Sequence, residues 1–185
     1  MTPPSSEQNP RQSDLLNSPS RILIRDLYPV TPSLSPAKAV RGDEAKFGAM
    51  LVADGHGLLA ARLRWRRADS QTKAEPGWQT MPLVVAASGQ ATGQLGFEAE
   101  GLYEFQIQAW VDRFETWRRD LQLFAQAGQP LQLEFEQGAL ILETLQQLLP
   151  ADSTRRVIDA IEQLRSSSCS DRVRLAAATD DAVAQ

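Results

Sequence analysis

The sequence has very few of the side chains from which metal sites and many catalytic sites are built. Its 185 residues include one cysteine, Cys169, and one histidine, His56. A single cysteine excludes an intrachain disulfide and is typical of a cytoplasmic protein. Because a zinc site needs three or four ligands, these two residues cannot form one, and we expect no metal and no cofactor.

Catalytic motifs are scarce as well. A Ser-His-Asp triad would have to use His56, which lies in the turn DGHG, where a histidine beside glycines is usually solvated. The sequence has no phosphate-binding loop and no G-x-G-x-x-G motif. Glu134 and Glu136 fall on different faces of a predicted helix, so they do not form the facing carboxylate pair of a glycosidase. No catalytic residue is predicted, and we do not expect this chain alone to be an enzyme.

Long apolar runs are also absent. None approaches the roughly 18 to 20 residues of a membrane-spanning helix, so no membrane interaction is expected. The N-terminal stretch MTPPSSEQNPRQSDLLNSPS has neither the basic start nor the apolar segment of a signal peptide. Its proline, serine, glutamine and asparagine content predicts a disordered leader over residues 1–20.

The chain also lacks an excess of positive charge. The formal net charge is -4 and the sequence pI is about 5.1, which argues against a nucleic-acid partner. Arg62, Arg64, Arg66 and Arg67 do form a basic strand edge. Nucleic-acid binding would also require aromatic side chains between these arginines, so a solvated or acid-paired edge is the simpler interpretation.

Residues 21–112 contain a series of short strands. Segments such as AKFGAMLVADG and LLAARLRWRRAD alternate apolar and polar residues and end at turn signals. In the first strand, RILIRDLYP, the inward-facing candidates are Ile22, Ile24 and Leu27. Short strands without helices between them predict a β-sandwich of immunoglobulin or fibronectin type.

Residues 113–185 have a helical period instead. Asp112 is placed to cap the first helix, and Gly128 is placed to end it. A second helix runs to Pro150, and a third follows with Asp152 or Ser153 as its cap. The alanine-rich end forms a weaker fourth helix without a clear stop signal. We therefore expect part of a helical bundle that is truncated in this chain. The apolar stripes of the first two helices are Phe114, Trp117, Leu121 and Phe124, and Leu131, Phe135, Leu142, Leu145 and Leu149.

Two tryptophans in the strand region are candidates for stacking on a sugar ring. Trp65 shares its strand face with Leu63, which favours core packing. Trp78 follows Pro76 and Gly77 and is the better candidate for a carbohydrate contact, although packing in the fold is the alternative.

The stretch AWVDRFETWRRDL joins the two kinds of pattern. Alternation ends at Val111, Asp112 can cap, and Phe114 and Trp117 begin the helical stripe. Because Trp117 and Leu121 are four residues apart, they can share one helix face. These features predict a structural joint between a sheet and a helix.

The segment GLYEFQIQAWVDRFETWRRDL, which contains this joint, resembles the N-terminal region of bacterial α-1,4-glucan:maltose-1-phosphate maltosyltransferases, members of the α-amylase superfamily. RILIRDLYP, AVRGDEAKFGAMLVADGHGLLAARLRWR and GQPLQLEFEQGALILETL resemble the same region in the same order. The resemblance begins at about Arg21 and continues to near the C-terminus, so it does not include the leader.

The resemblance implies a glycosyltransferase of glycogen metabolism that adds maltosyl units from maltose 1-phosphate to an α-1,4-glucan. Its nucleophile and acid/base lie on a (β/α)₈ barrel that is absent from this chain, so no catalytic residue is transferred. The resemblance also implies a homodimer that this region helps to build. The residues expected to contact and pair the domains are Asp112, Arg113, Phe114, Trp117 and Arg118.

Two functions of different classes follow. The first is a non-catalytic accessory and dimerisation region of a maltosyltransferase, which reaches its glucan and maltose 1-phosphate through the missing catalytic domain. The second is an autonomous α-glucan-binding sandwich that uses Trp78 and Trp65. Retardation of the chain in a gel that contains glycogen would favour the second function.

Overall fold

The computed structural model describes residues 22–33, 35–68, 77–147 and 151–180, except for the side chains of residues 151–153. The predicted leader therefore lies outside the described residues. The chain divides into two compact units. Of the described residues, those up to 55 and those of 60–110 form the strand unit, and those of 56–59 and from 111 onward form the helical unit.

In the described parts of the chain, six strands form one sheet with the order β1-β2-β5-β4-β3-β6. The sheet is antiparallel and nearly closed into a barrel. This arrangement confirms an all-β region before the helices, whereas the immunoglobulin or fibronectin type stays a prediction. The strands are β1 (Ile22–Tyr28), β2 (Glu44–Ala53), β3 (Leu58–Arg67), β4 (Gln79–Val85), β5 (Gln90–Gly96) and β6 (Tyr103–Asp112).

The core of the strand unit consists of alternate residues from the central strands. Phe47 of β2 lies against Phe105 of β6, with ring centroids 4.9 Å apart. These strands are four places apart in the sheet order, so the contact reflects how far the sheet curls. The buried apolar residues are Phe47, Ala49, Leu51, Ala61, Leu63, Leu83 and Ala91.

The first strand differs from its prediction. Ile24 is 38% exposed and Leu27 is 39% exposed, so neither is buried as expected. β1 lies at the edge of the sheet and pairs only with β2 along the strand order. Its register shifts between Arg25 and Tyr28, where Asp26 has a left-handed φ of 52°. The shift interrupts the regular alternation that the prediction assumed.

The described part of the helical unit contains four helices: α1 (Arg113–Gln126), α2 (Gln132–Gln146), α3 (Ala151–Arg165) and α4 (Asp171–Ala178). None of them is long and apolar enough to cross a membrane. Gly128 follows α1 with a φ of 65°, which agrees with its predicted role at the helix end. The predicted caps of α3, Asp152 and Ser153, have side chains outside the described residues.

One apolar cluster holds the helices of this unit together. Phe135, Leu121 and Leu164 are completely buried in it. The predicted stripe is wrong at Phe124, which lies in the last turn of α1 and is 37% exposed. The whole cluster is Phe114, Trp117, Leu121, Leu131, Phe135, Ala139, Leu142, Val157, Ala160, Ile161, Leu164 and Ala178.

Candidate functional site

The change from strand to helix occurs at Asp112. Its backbone is extended, with φ -77° and ψ 96°, and its carboxylate accepts a hydrogen bond from the backbone N–H of Glu115 at 2.9 Å. This bond satisfies one of the free N–H groups in the first turn of α1, which confirms the predicted capping role.

The turn that contains the single histidine packs on α1 through its backbone. The N–H of Leu58 donates to Oγ1 of Thr116 at 2.8 Å, and Nη1 of Arg119 donates to the carbonyl oxygen of His56 at 3.0 Å. A Cβ on Gly57 would lie 2.6 Å from Cγ1 of Val111, so the close approach requires glycine. His56 itself is exposed. It contributes a carbonyl to the fold, and the geometry assigns no chemistry to its imidazole.

Trp117 locks α1 against α2. Its side chain is 3% exposed, and Nε1 donates to the carbonyl oxygen of Glu134 at 2.8 Å. A Cβ on Gly138 would lie 2.0 Å from Cζ2 of the indole. The glycine therefore provides the space that the ring occupies, and the hydrogen bond satisfies the indole N–H inside the unit.

Arg118 is buried beside Trp117, with 9% of its surface exposed. Nη1 donates to the carboxylate of Glu115 at 2.7 Å, and Nη2 donates to the carbonyl oxygen of Thr179 at 2.7 Å. Thr179 caps the C-terminus of α4, so this guanidinium neutralises the negative end of that helix. The contact ties the first helix of the unit to the last.

These contacts show how far the five predicted interface residues are accessible to a partner. Phe114, Trp117 and Arg118 are buried within their own unit, Asp112 is half-buried, and Arg113 is exposed. In the structure, the buried residues of the joint therefore contact other residues of the same chain. A direct role of these residues in pairing stays a prediction.

A second buried arginine, Arg174, was missed by the sequence reasoning. It is 4% exposed, and its guanidinium donates to the carbonyl oxygen of Leu164 in the last turn of α3 and to Oε1 of Gln132 at 2.9 Å. Its Cζ lies 4.0 Å from the ring centroid of Phe135, and Asp171 is 3.6 Å away. In the sequence, Arg174 follows Asp171 by three residues, a spacing typical of an exposed ion pair, so local pattern gives no sign of its burial.

The outer side of the sheet carries a different set of arginines. Arg62, Arg64 and Arg66 alternate along β3, opposite the buried Ala61 and Leu63. Neighbouring strands and the segment before β4 add aromatic and polar side chains to this side. We call this surface the arginine–tryptophan face: Arg62, Arg64, Arg66, Trp78, Glu104, Gln108 and Trp110.

Trp78 is half-buried on this face. The Cζ atoms of Arg64 and Arg66 lie 5.0 and 4.8 Å from its ring centroid. The sequence reasoning identified Trp78 but missed Trp110, which is 41% exposed and lies 5.7 Å from Cζ of Arg62. The aromatic side chains that lie beside the arginines on this face therefore come from other parts of the fold. Trp65, half-buried, alternates with these arginines along β3.

The described residues contain no group of three or more histidine, cysteine, aspartate or glutamate side chains that could hold a metal ion. Hydrogen bonds from Arg165 lower the pKa of Glu136, and the same bonds raise that of Arg165. Glu136 is exposed and pairs across α2 and α3, so this shift reflects helix packing.

Comparison with known proteins gives a consistent match. The family model described as α-1,4-glucan:maltose-1-phosphate maltosyltransferase, domain N/S, matches residues 20–185. The maltosyltransferase of that name from Rhodospirillum rubrum is 33% identical over 147 residues, which are 76% of this chain and 21% of that protein. The one from Chlorobaculum tepidum is 33% identical over 124 residues, which are 66% of this chain and 18% of that protein.

A more distant relative extends the match along the chain. Maltosyltransferase 1 of Streptomyces coelicolor is 29% identical over 161 residues, which are 85% of this chain and 23% of that protein. The chain thus spans about a fifth of the length of the curated relatives that it matches.

Proposed function

Because the chain belongs to the domain N/S family of α-1,4-glucan:maltose-1-phosphate maltosyltransferases, we propose that it is a non-catalytic accessory region of such an enzyme. The observation that carries this proposal is the extent of the match. It includes residues 20–185 of this chain but only about a fifth of each relative, which leaves most of each relative for the catalytic part.

The reaction proposed for the whole enzyme is the transfer of a maltosyl unit from maltose 1-phosphate to the end of an α-1,4-glucan, with release of phosphate. A (β/α)₈ barrel, which takes about 250 residues, would carry the catalytic carboxylates. The site geometry supports this division of labour. The arginines and tryptophan at the joint are engaged in holding helices together, and none of them forms part of a nucleophile–base arrangement. A cytoplasmic location belongs to the same proposal.

The role that we propose for the region is to position and pair the catalytic domains in a homodimer. Support comes from the outward face of α2, where Leu133 is 77% exposed and Leu140 is 52% exposed. Residues seven apart lie on the same side of a helix, so these two leucines form one apolar stripe. A second copy of the same chain could bury such a stripe against its own.

Sedimentation equilibrium of this chain tests the pairing. We expect a dimer for the wild type and a monomer for the double variant Leu133→Glu/Leu140→Glu, because two carboxylates would be desolvated in the interface. Val84→Glu is the matched control, since Val84 is 76% exposed in the strand unit, and it should remain dimeric. A wild-type monomer at every concentration reached, or a dimer in the double variant, would contradict pairing through α2.

A further inference from the structure

The arginine–tryptophan face contains two clusters in which an indole lies beside fixed planar polar groups. In the first cluster, Arg62 lies over Trp110 and its Nε donates to Oε1 of Gln108 at 2.8 Å. Nε is only one of the five N–H donors of a guanidinium, so four others remain for further hydrogen bonds. The indole is 41% exposed, which makes part of its surface accessible to a ligand.

The second cluster surrounds Trp78. Arg64 and Arg66 both lie within 5.0 Å of its ring centroid, and Arg66 is hydrogen-bonded to the carboxylate of Glu104. Nε of Arg64 is buried and has no hydrogen-bond partner among the described residues. The orientation of these side chains is fixed by one another, as a binding surface with low entropic cost requires.

The two clusters are on one side of the sheet because Arg62, Arg64 and Arg66 are alternate residues of one strand. Trp78 lies between Arg64 and Arg66, so the clusters are about three residues apart along β3. Three residues of a strand extend about 10 Å, which is more than the width of one sugar ring. A linear oligosaccharide could therefore contact both clusters at once, whereas a monosaccharide could contact only one.

The side chains of the face suit an uncharged, hydroxyl-rich ligand. Glu104 offsets the charge of Arg66, while Arg62 and Arg64 keep theirs, and Arg62 donates to a neutral amide. The chain as a whole carries a charge of -4, which opposes the binding of a polyanion. Indole rings cover apolar surfaces, while guanidinium, carboxamide and carboxylate groups bond to hydroxyls, and a pyranose presents both kinds of surface.

We propose that the arginine–tryptophan face is a non-catalytic binding surface for an α-1,4-glucan chain, with Trp110 and Trp78 as its two stacking positions. The choice of glucan rests on the proposed function, because the α-1,4-glucan appears in the name of the matched relatives. The surface would hold a long α-1,4-glucan acceptor close to the enzyme. Compared with the glucan contacts expected from the sequence, this surface keeps Trp78, omits Trp65 and includes Trp110.

The test is native gel electrophoresis of this chain with and without glycogen in the gel. We expect glycogen to retard the wild type, and we expect Trp110→Ala and Trp78→Ala each to weaken the apparent affinity about tenfold, as the loss of an aromatic anchor does. Val173→Ala is the control, because this valine is 47% exposed on the helical unit and lies outside the proposed pairing stripe, and its retardation should equal that of the wild type. Circular dichroism melting identifies any variant that fails to fold, and Trp110→Phe should then recover part of the affinity.

Three outcomes would overturn the proposal. They are free migration of the wild type in glycogen, equal retardation of both tryptophan variants and the wild type, and retardation that is lost in high salt or reproduced by an acidic polymer. The last outcome would identify a surface for an anionic partner. Failure of this proposal can be told apart from failure of the accessory role. The accessory role is tested by sedimentation equilibrium and by phosphate release, and neither measurement uses a glycogen gel.

Discussion

The two units of the molecule use arginine in opposite ways. In the helical unit, Arg118 and Arg174 are buried, and their guanidinium groups bond to carbonyl oxygens at helix ends. In the strand unit, Arg62 and Arg66 lie on the outer side of the sheet and pair with side chains of β6. The same residue type therefore closes a core in one unit and covers a surface in the other.

This difference predicts which substitutions should lower the free energy of unfolding most. A buried guanidinium satisfies carbonyl groups that have no access to water, so its removal leaves them unpaired. A guanidinium at the surface can be replaced by solvent, so its removal should cost little stability and chiefly change what the surface binds. Matched substitutions measure this contrast, first between the two units and then between buried and exposed residues of the helical unit.

The largest effect is expected for Trp117→Ala. This change removes a buried indole from the core of the helical unit and leaves the carbonyl of Glu134 without its donor. We expect a loss of about 3 to 5 kcal/mol in the free energy of unfolding, measured by urea titration. Trp110→Ala in the strand unit is the matched control and should cost less, because Trp110 is 41% exposed. Equal losses for the two variants would remove the contrast between the units.

Arg174→Met is expected to have the next largest effect. The substitution keeps an apolar stem over Phe135 but removes the donors to the carbonyl of Leu164. We expect a loss of about 1 to 3 kcal/mol, because a buried acceptor is left unsatisfied. The neighbouring Arg172 is exposed, so Arg172→Met should change stability by no more than about 0.5 kcal/mol. A neutral Arg174→Met would contradict the cost assigned to leaving the carbonyl oxygen of Leu164 without its guanidinium donor.

Gly138→Ala tests the packing of Trp117 on α2. The added methyl group would lie 2.0 Å from the indole, so either the ring or the helix must move, at a cost of about 1 to 3 kcal/mol. In the Trp117→Ala background the clash disappears, and the same change should stabilise by up to about 1 kcal/mol through helix propensity. Urea titrations of the four proteins measure this coupling. Additive effects in the cycle would mean that the two residues do not share one site.

The smallest effect is expected for Arg165→Gln, which tests an exposed ion pair of the helical unit. Arg165 bonds to Glu136 at 2.7 Å and also to Glu143, and these bonds lower the pKa of Glu136. A lowered pKa in the folded state stabilises the fold above the ordinary carboxylate value, and this contribution is lost as the pH falls through the lowered pKa.

The variant should therefore have a slightly lower melting temperature than the wild type at neutral pH, and the two should converge in acid. Arg155→Gln is the control, because Arg155 is more exposed and pairs only with Asp159 within α3. A difference between Arg165→Gln and the wild type that persists unchanged in acid would show that Glu136 does not carry the effect.

Local patterns were sufficient for the order of the elements and for the joint. The cap at Asp112 and the stripe of Trp117 and Leu121 depend on residues three or four apart, so the sequence reveals them directly. The burial of Arg174 and the requirement for Gly138 depend on other helices, and no local period contains that information. Ile24 was mispredicted for the same reason, since its exposure follows from the position of β1 at the sheet edge.

The same limit applies to the candidate binding surface. Trp78 attracted attention because of its neighbours in the sequence, whereas the pairing of Arg62 with Gln108 joins residues 46 positions apart. Only the sheet order brings β3 beside β6 and so places Trp110 among the arginines. A strand register cannot be read from one sequence with the accuracy that this contact requires.

The central claim, that this chain is the non-catalytic region of a maltosyltransferase, is tested most directly by an assay of phosphate release. The purified chain is incubated with maltose 1-phosphate and maltohexaose, and free phosphate is followed over time. The account predicts no release above that of buffer, because no catalytic arrangement is assigned to the described residues. Sustained release from the pure protein would place a complete active site within these 185 residues and would contradict the account.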